Sequence, residues 1–285
     1  MKFKKLIKSI VTLALCVTML IPGTFVAKAN TNNKSMEEMK AYLRDIGTPS
    51  YILDSYENIE PLRMLYDRLY TKNNNIVYSG SMIVLNDGSV INDDGTDSYG
   101  VITPDTIYLT QATYLETVST SNSLITKCYV NVNYHNEGYN GTHSSLYTDL
   151  VATNWDSSVF TYNSGSFTSW NTYKHSNGTT SNNSQISTPT ESVQGGLGWK
   201  AKRPEFHYLE DGHAIYELLP RTSNIYSKKV NSTYTQNATT INTEYAYSNL
   251  PFGTAFNVGT VSISINDSFI SSKTTKSSTI IYYTK

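Results

Sequence analysis

Carboxylate and imidazole side chains lie close together in the segment from Glu205 to His213. Alternation along a strand would place Glu205 and His207 side by side, and Asp211-Gly212 is typical of a tight turn. Such neighbours suit general acid–base catalysis, so Glu205, His207 and Asp211 are the candidate catalytic residues. The same pattern suits an exposed hairpin, and the sequence has no Gly-x-Ser-x-Gly or comparable nucleophile motif. The surface hairpin is therefore the favoured interpretation.

A second polar cluster suggests a metal site. The chain alternates like a strand on both sides of Tyr139, and a hairpin centred there would place His135 opposite His143. These two imidazoles, with Glu137 beside them, would supply three ligands to zinc. The alternative is a pair of exposed histidines at a turn. It is favoured because zinc ligands usually have closer sequence spacing, so neither a metal nor another cofactor is predicted.

Aromatic residues indicate a third kind of chemistry. The chain has 23 Tyr, and Trp155, Trp170 and Trp199 lie among many Ser, Thr and Asn residues. Flat aromatic faces next to neutral hydrogen-bonding groups suit sugars and other polar ligands. The three tryptophans are therefore the candidate ligand-binding residues, on the expectation that they form one exposed strip. The alternative is that these aromatic residues merely favour strands.

The spacing of apolar residues changes from helical to strand-like after residue 75. Ser35 and Glu38 form a capping box before apolar residues at helical spacing. A second helix is predicted after Asn58, with Pro61 in its first turn and a short irregular or helical link before it. Residues 30–75 are thus predicted to form a helical hairpin. It is too small to be stable alone, so we expect it to pack on the following domain.

From residue 76 to 285, apolar and polar residues alternate as they do in half-buried strands, and no helical pattern interrupts them. This favours an antiparallel β-sandwich or open barrel, which makes the fold mainly β, and α+β overall. Residues 173–198 are rich in Ser, Thr and Asn and are predicted to form a low-complexity loop. The predicted strands span residues 76–85, 89–92, 106–117, 122–135, 143–154, 158–163, 206–209, 213–219, 225–235, 241–248, 258–266 and 278–284.

Cys128 alternates with apolar residues in the strand that precedes Tyr139. The hairpin register given above would place it opposite Leu150, with both side chains turned toward the core. Cys128 is therefore predicted to be an inert, inward-facing thiol rather than a nucleophile or a dimer bridge.

Residues 1–29 have the pattern of a bacterial secretory signal peptide. A lysine-rich start leads into an apolar run from Ile10 to Ile21, and Ala27-Lys28-Ala29 matches a cleavage site. Cleavage after Ala29 predicts a secreted, extracellular protein. Residues 1–29 hold five lysines and no acidic residue, so residues 30–285 have 17 basic and 23 acidic residues. This charge argues against nucleic-acid partners, and no later apolar run has the ~18 to 20 residues of a membrane helix.

The sequence alone favours a secreted, non-catalytic β-rich protein that binds carbohydrate or another polar ligand at the cell surface. One alternative is a pore-forming or membrane-active β protein, because Thr260 to Asn266 has the alternating Ser/Thr composition of membrane hairpins. Another is an extracellular hydrolase that uses Glu205, His207 and Asp211. The sequence does not indicate an oligomeric state.

Overall fold

The computed structural model describes residues 34–70, 75–85, 90–91, 106–119, 122–137, 148–175, 177–178, 181–201, 207–223, 225, 228–238, 240–242, 262–264 and 274–280. Three helices open this part of the chain: α1 (Met36–Asp45), α2 (Ser50–Asp54) and α3 (Ile59–Leu69). The signal peptide predicted at residues 1–29 lies outside the described residues. No helix within them is both long enough and apolar enough to cross a membrane.

Strands make up most of the described chain. The first eight are β1 (Ile76–Leu85), β2 (Val90–Ile91), β3 (Thr106–Ser119), β4 (Asn122–Glu137), β5 (Thr148–Trp155), β6 (Phe160–Tyr162), β7 (Thr168–His175) and β8 (Ser181–Ile186). The others are β9 (Glu191–Val193), β10 (Gly196–Ala201), β11 (His207–Pro220), β12 (Lys229–Ala238), β13 (Thr240–Asn242), β14 (Ser262–Ser264) and β15 (Thr274–Ile280).

The helices start where local side chains satisfy their free amide groups. The Ser35 hydroxyl accepts from the Glu38 amide, and the Glu38 carboxylate accepts from the Ser35 amide, which confirms the predicted capping box. Asn58 is the N-cap residue of α3 without a side-chain capping bond, and Pro61 lies in the first turn as predicted. The link between the two predicted helices is itself helical and forms α2.

Two antiparallel sheets form the body of the fold, which confirms a mainly β architecture with open sheets. The larger has eight strands in the order β2-β1-β3-β4-β11-β7-β8, and β6 also pairs with β11. The smaller has the order β15-β12-β5-β10-β9, while β13 and β14 pair separately. Side chains from both sheets share one apolar core, which includes Val132, Trp155, Trp199 and Tyr216. We call the side of the eight-stranded sheet that contributes to this core its inner face.

The helices cover the opposite side of the eight-stranded sheet, here called its outer face. Apolar residues of all three helices pack there against Ala112, Tyr114, Tyr129 and Ile215. Polar side chains of this face are covered as well, since Asn131 and Asn133 are 1% and 5% exposed. The described fold therefore has a helical layer, a middle sheet and a second sheet.

The predicted hairpin between β4 and β5 is wrong, because these strands belong to different sheets. β4 pairs with β3 and β11, which places Cys128 between Leu115 and Leu218 rather than opposite Leu150. β3 pairs with β4 from Thr106 opposite Glu137 to Ser119 opposite Asn122, and so occupies one edge of β4. The inward orientation of Cys128 is nevertheless confirmed, since the thiol is completely buried. The orientation of a side chain depends on alternation within its own strand, whereas the choice of the neighbouring strand does not.

The turn predicted at Asp211-Gly212 is also wrong, because both residues lie inside the continuous strand β11. Gly212 is required there by a close contact across the sheet. A Cβ atom on Gly212 would lie 1.9 Å from Cε2 of Tyr134, the residue directly opposite on β4. The glycine thus makes room for an aromatic ring instead of reversing the chain.

The loop predicted at residues 173–198 contains regular structure, and this prediction is corrected. It spans the end of β7, the whole of β8 and β9, and the start of β10. β8 and β9 are the outermost strands of their sheets along the described ladders, and residues 183, 185 and 192 are exposed. A strand with one solvated edge and exposed side chains can have the polar composition that is typical of a loop.

Candidate functional site

Two rows of polar side chains cross four strands on the outer face of the eight-stranded sheet. They lie along β4, β11, β7 and β8, where direct strand pairing fixes their order. The first row is His135, Asp211, Thr172 and Asn183, and the second is Asn133, His213, Trp170 and Gln185. We call these eight residues the polar rows. Because residues paired across neighbouring strands have adjacent side chains, the rows form one continuous surface.

A β-bulge places Asp211 in the first row. The pairing of β11 with β7 shifts between Leu209 and Asp211, so that Glu210 is the extra residue. Leu209 consequently packs in the core between the sheets, while Asp211 lies on the outer face with His213. Without the extra residue, the alternation of the strand would place Leu209 and Asp211 on the same face. Bulges commonly redirect a side chain in this way near functional sites.

At the centre of the rows, Asp211 and His213 form a buried pair. His213 is fully buried, and its Nε2 lies 2.5 Å from Oδ2 of Asp211. Nδ1 of His213 lies 3.0 Å from Oδ1 of Asn133 on the neighbouring strand. His135 approaches the same carboxylate from β4, with Nδ1 3.7 Å from Oδ1 of Asp211. Two histidines therefore face one aspartate, which is the densest group of titratable side chains along the rows.

This environment keeps Asp211 ionised. Burial by itself would raise the pKa of Asp211, because a carboxylate loses its hydration. Electrostatic interactions and hydrogen bonds with the imidazoles of His213 and His135 outweigh burial and lower the pKa of Asp211 to about 2. A carboxylate beside two imidazoles can hold or orient a proton. It can also accept a hydrogen bond from a ligand that reaches this row.

The connection between α2 and α3 covers the buried pair. The ring of Tyr56 stacks on the imidazole of His213, with centroids 4.4 Å apart and planes inclined by 21°. Its hydroxyl lies 3.2 Å from Oδ1 of Asn131 and donates a hydrogen bond to it. Close by, Lys174 of β7 forms an ion pair with Glu210 of β11 at 2.8 Å.

Three polar atoms of the rows are buried without a hydrogen-bond partner in the described structure: Nδ2 of Asn133, Nε1 of Trp170 and Oγ1 of Thr172. Unpaired buried groups are costly, so proteins generally pair them with protein, water or ligand. Trp170 is partly buried, and Gln185 beyond it on β8 is exposed. The rows therefore run from a closed end at His213 toward an open end at β8.

The catalytic residues suggested by the sequence do not meet as expected. Asp211 contacts His213 and His135, whereas the ring of His207 packs edge-to-face against His175 on β7. Glu205 lies outside the described residues. The expected side-by-side arrangement of Glu205 and His207 is therefore not among the described contacts, and Asp211 belongs to a different group.

The proposed pairing of His135 with His143 is wrong. Both neighbours of His135 on β4 are already assigned, since Tyr108 pairs with it on one side and Asp211 on the other. His143 lies outside the described residues, and so does the side chain of Glu137. Within the described ranges, no three His, Cys, Asp or Glu side chains converge as a metal site would require.

The expected exposed strip of tryptophans is wrong for two of its three members. Trp155 and Trp199 are 2% and 0% exposed and pack in the core between the sheets. The indole N–H of Trp199 donates to the hydroxyl of Tyr134. Only Trp170 lies on the outer face, because its pairing with His213 places it there.

His213 and Tyr56 are the central residues that the sequence analysis missed. A signal for His213 existed, since residues two apart on a strand share a face and Asp211 precedes it by two. The turn predicted at Asp211-Gly212 placed Asp211 and His213 on different strands, so they were not recognised as neighbours. No local pattern marks Tyr56, whose role depends on where the helical layer contacts the sheet.

No known protein family matches the chain, and no characterised protein matches its sequence. Among solved structures, a pore forming protein has a TM-score of 0.33 at 9% identity, covering 75% of this chain and 98% of its own. The N-terminal domain of the Streptococcus gordonii adhesin Sgo0707 has a TM-score of 0.18 at 9% identity, covering 73% of this chain and 72% of its own. Neither similarity supports an inference about function.

Proposed function

We propose that this chain is a secreted, non-catalytic binding protein that takes a neutral, hydroxyl-rich ligand, such as a cell-surface carbohydrate, on its polar rows. The observation that supports this proposal is Trp170, which is partly buried and whose indole N–H lacks a partner in the described structure. An aromatic ring with an unused donor, beside neutral polar groups, suits a sugar ring that carries hydroxyls.

The neighbours of Trp170 have complementary chemistry. The amide of Gln185 is exposed beside it, and the hydroxyl of Thr172 and the amide of Asn183 lie in the adjacent row. Amides and hydroxyls both donate and accept, as the hydroxyl groups of a sugar do. The carboxylate of Asp211 adds an acceptor at the closed end of the rows. This set favours an uncharged polar ligand over a phosphate, because the Asp211 carboxylate repels an anion and the imidazoles of His135 and His213 both face that carboxylate.

Binding can be tested with a matched pair of tryptophan variants. Trp170→Phe keeps an aromatic ring but removes the donor, so we expect about tenfold weaker binding, the loss typical of one hydrogen bond. Trp155→Phe is the control, since that indole N–H also lacks a described partner but lies in the core. Binding of soluble cell-wall oligosaccharides and polysaccharides would be measured by calorimetry and tryptophan fluorescence.

Two results would contradict the proposal. The first is no binding to any member of a broad polysaccharide panel, and the second is an equal loss of affinity in Trp170→Phe and Trp155→Phe. The membrane-active alternative stays a prediction from the sequence. Release of dye from liposomes by the wild-type protein, with oligomers in detergent, would favour it over carbohydrate binding.

A further inference from the structure

We infer that the end of the two-stranded ribbon formed by β3 and β4 contacts lipid, inserting aliphatic side chains into the interfacial region of a bilayer without spanning it. We call residues 117–119 of β3 and 122–126 of β4 the ribbon tip. The nearest residue of the polar rows on β4 is Asn133, seven residues further along the strand. The ribbon tip is therefore a separate surface, and this inference does not depend on the proposed function.

The ribbon tip continues past the neighbouring strands along the described ladders. β1 pairs with β3 only as far as Glu116, and β11 pairs with β4 only as far as Cys128. Beyond these positions, β3 and β4 pair with each other, through Ser119 opposite Asn122. Two strands that extend beyond the sheet in this way can be approached from both of their faces.

Aliphatic side chains are exposed at and beside the ribbon tip. Val118 and Leu124 are 49% and 53% exposed, and Val77, at the adjoining end of β1, is 46% exposed. These are the three most exposed large hydrophobic side chains in the described part of the chain, ahead of Ile59 and Tyr70 on the helical layer. Single exposed apolar residues are common, but their concentration in one place marks an interaction surface.

The aliphatic side chains lie on both faces of the ribbon, which favours lipid over a protein partner. Ile125 packs against the core between the sheets, so Leu124, next to it in the strand, lies on the opposite face. Val118 follows Thr117, the residue paired with Ile125, and shares the face of Leu124. Val77 pairs with a residue of that core and so lies on the inner face. A protein partner would cover one face, whereas a fluid lipid phase surrounds both.

The ribbon tip carries no charge that would have to leave water. Residues 117–126 contain no Asp, Glu, Lys, Arg or His. Backbone acceptors there are also paired: Nδ2 of Asn75 donates to the carbonyl of Val118 at 3.2 Å, and the hydroxyl of Thr126 donates to the carbonyl of Glu116 at 3.2 Å. Transfer from water to lipid costs less when charges are absent and backbone groups are already hydrogen-bonded.

Charged groups at the base of the ribbon tip limit the depth of insertion. Nζ of Lys127 lies 3.6 Å from Oε2 of Glu116, and the hydroxyl of Tyr129 donates to the same oxygen at 2.6 Å. Ser119 is three residues beyond Glu116, about 10 Å at roughly 3.3 Å per residue. This length fits the interfacial depth of about 5–10 Å, and it is far shorter than the ~30 Å hydrocarbon core.

Lipid binding can be measured by co-flotation of the chain that starts at Asn30 with phosphatidylcholine vesicles, with and without added phosphatidylglycerol. We expect similar binding to both vesicle types and little effect of salt, because the ribbon tip is uncharged. The double variant Val118→Thr and Leu124→Thr should bind at least about tenfold more weakly, since it loses exposed apolar area. Ile59→Thr is the matched control, because it removes an exposed aliphatic side chain from α3.

Four results would overturn the inference. The first is no co-flotation with either vesicle type, and the second is an equal loss of binding in Ile59→Thr. The third is binding that requires phosphatidylglycerol and disappears in high salt, which would assign the contact to basic residues elsewhere. The fourth is a wild-type dimer in analytical ultracentrifugation that the double variant converts to a monomer, which would assign the ribbon tip to a contact between copies. Urea unfolding would verify that each variant keeps its fold.

The depth of insertion can be measured with Leu124→Cys labelled by an environment-sensitive fluorophore. Because Cys128 is buried, labelling of the native protein should be confined to position 124. We expect vesicles to increase the emission, and nitroxide lipids labelled near the headgroup to quench it more than those labelled deep in the acyl chains. Unchanged emission, stronger quenching by the deep nitroxides, or release of trapped dye would contradict shallow insertion. These readouts use lipid alone, so they can succeed even when the polysaccharide panel gives no binding.

Discussion

Single side chains in this protein acquire different chemistry according to which face of the eight-stranded sheet they occupy. Cys128 lies on the inner face, where it is surrounded by apolar groups and its reactivity is suppressed. Asp211 and His213 lie on the outer face, where they are also buried but paired with each other. Burial without a partner suppresses ionisation of the Cys128 thiol, whereas its partners keep the buried Asp211 carboxylate charged.

The thiol of Cys128 should be unreactive in the folded protein. Burial raises its pKa to about 12, so the thiolate needed for reaction is scarce at neutral pH. In a chain that starts at Asn30, this is the single cysteine. We expect labelling by a polar maleimide to require urea concentrations that unfold the protein. Rapid labelling in native buffer would contradict the burial.

Asp211 should make stability depend on pH in the acid range. Its folded-state pKa is about 2, below the ordinary 3.8, so the folded state binds its proton less readily than the unfolded chain does. The stabilisation is therefore complete above pH ~4 and is lost as pH falls through 2, with a total of about 2 kcal/mol.

Urea unfolding between pH 2 and 5 would measure this effect. Asp211→Asn should abolish that part of the pH dependence, whereas Asp54→Asn, at an exposed position on α2, should retain it. An unchanged slope in Asp211→Asn would mean that this carboxylate is not the group that titrates.

At the scale of elements, polar contacts attach the helical layer to the sheet. Arg68 of α3 donates to the Glu217 carboxylate at 2.9 Å, and Glu217 also accepts from Asn163 at 2.7 Å. Glu217 is 6% exposed, so the carboxylate end of this ion pair is buried between α3 and β11, while Arg68 stays partly exposed. It fixes the position of α3 more specifically than apolar packing does, because it requires one geometry.

Removing Arg68, whose partner Glu217 is buried, should therefore destabilise the protein more than removing Arg63 of the same helix, whose partner Glu60 is half-exposed. We expect Arg68→Ala to cost about 1–3 kcal/mol, because Glu217 would stay buried with fewer donors. Arg63→Ala should cost less, because Glu60 is half-exposed and regains water when its partner is removed, and an i,i+3 pair of this kind contributes about 0.5 kcal/mol. Equal losses in urea unfolding would contradict the role of the ion pair.

At the scale of the whole molecule, the eight-stranded sheet is covered on both faces in the region where the helices pack. Its inner face meets the five-stranded sheet, and its outer face carries both an apolar patch and the polar rows. The helices cover the apolar patch completely, whereas the rows extend beyond Tyr56 toward exposed positions on β8. The edge of the helical layer thus divides a structural surface from a candidate binding surface.

A chain that starts at Asn75 should fold poorly or self-associate. Without residues 35–70 it would expose Ala112, Tyr114, Tyr129 and Ile215, an apolar patch of the kind that promotes aggregation. We expect stronger binding of a hydrophobic dye and larger species in gel filtration than for a chain that starts at Asn30. A stable monomer with the same dye response would show that the helical layer is dispensable.

Local patterns predicted much of the described structure. The capping box at Ser35, the strand that begins at Ile76 and the burial of Cys128 were all confirmed, because each depends on residues within one turn or one strand. The candidate site was predicted only in part. Asp211, His135 and Trp170 were identified separately and with the wrong partners, and His213 was missed.

By itself, the sequence determined which residues alternate, where helices begin and which side of a strand is apolar, since neighbouring residues fix these properties. The tertiary structure decided that β4 pairs with β3 and β11, and that helices cover a polar face. It also decided that a bulge turns Asp211 toward His213. Strand partners are chosen by competition among distant segments for the same hydrogen bonds and the same core. The periodicity of one segment therefore does not predict which strands will be its neighbours.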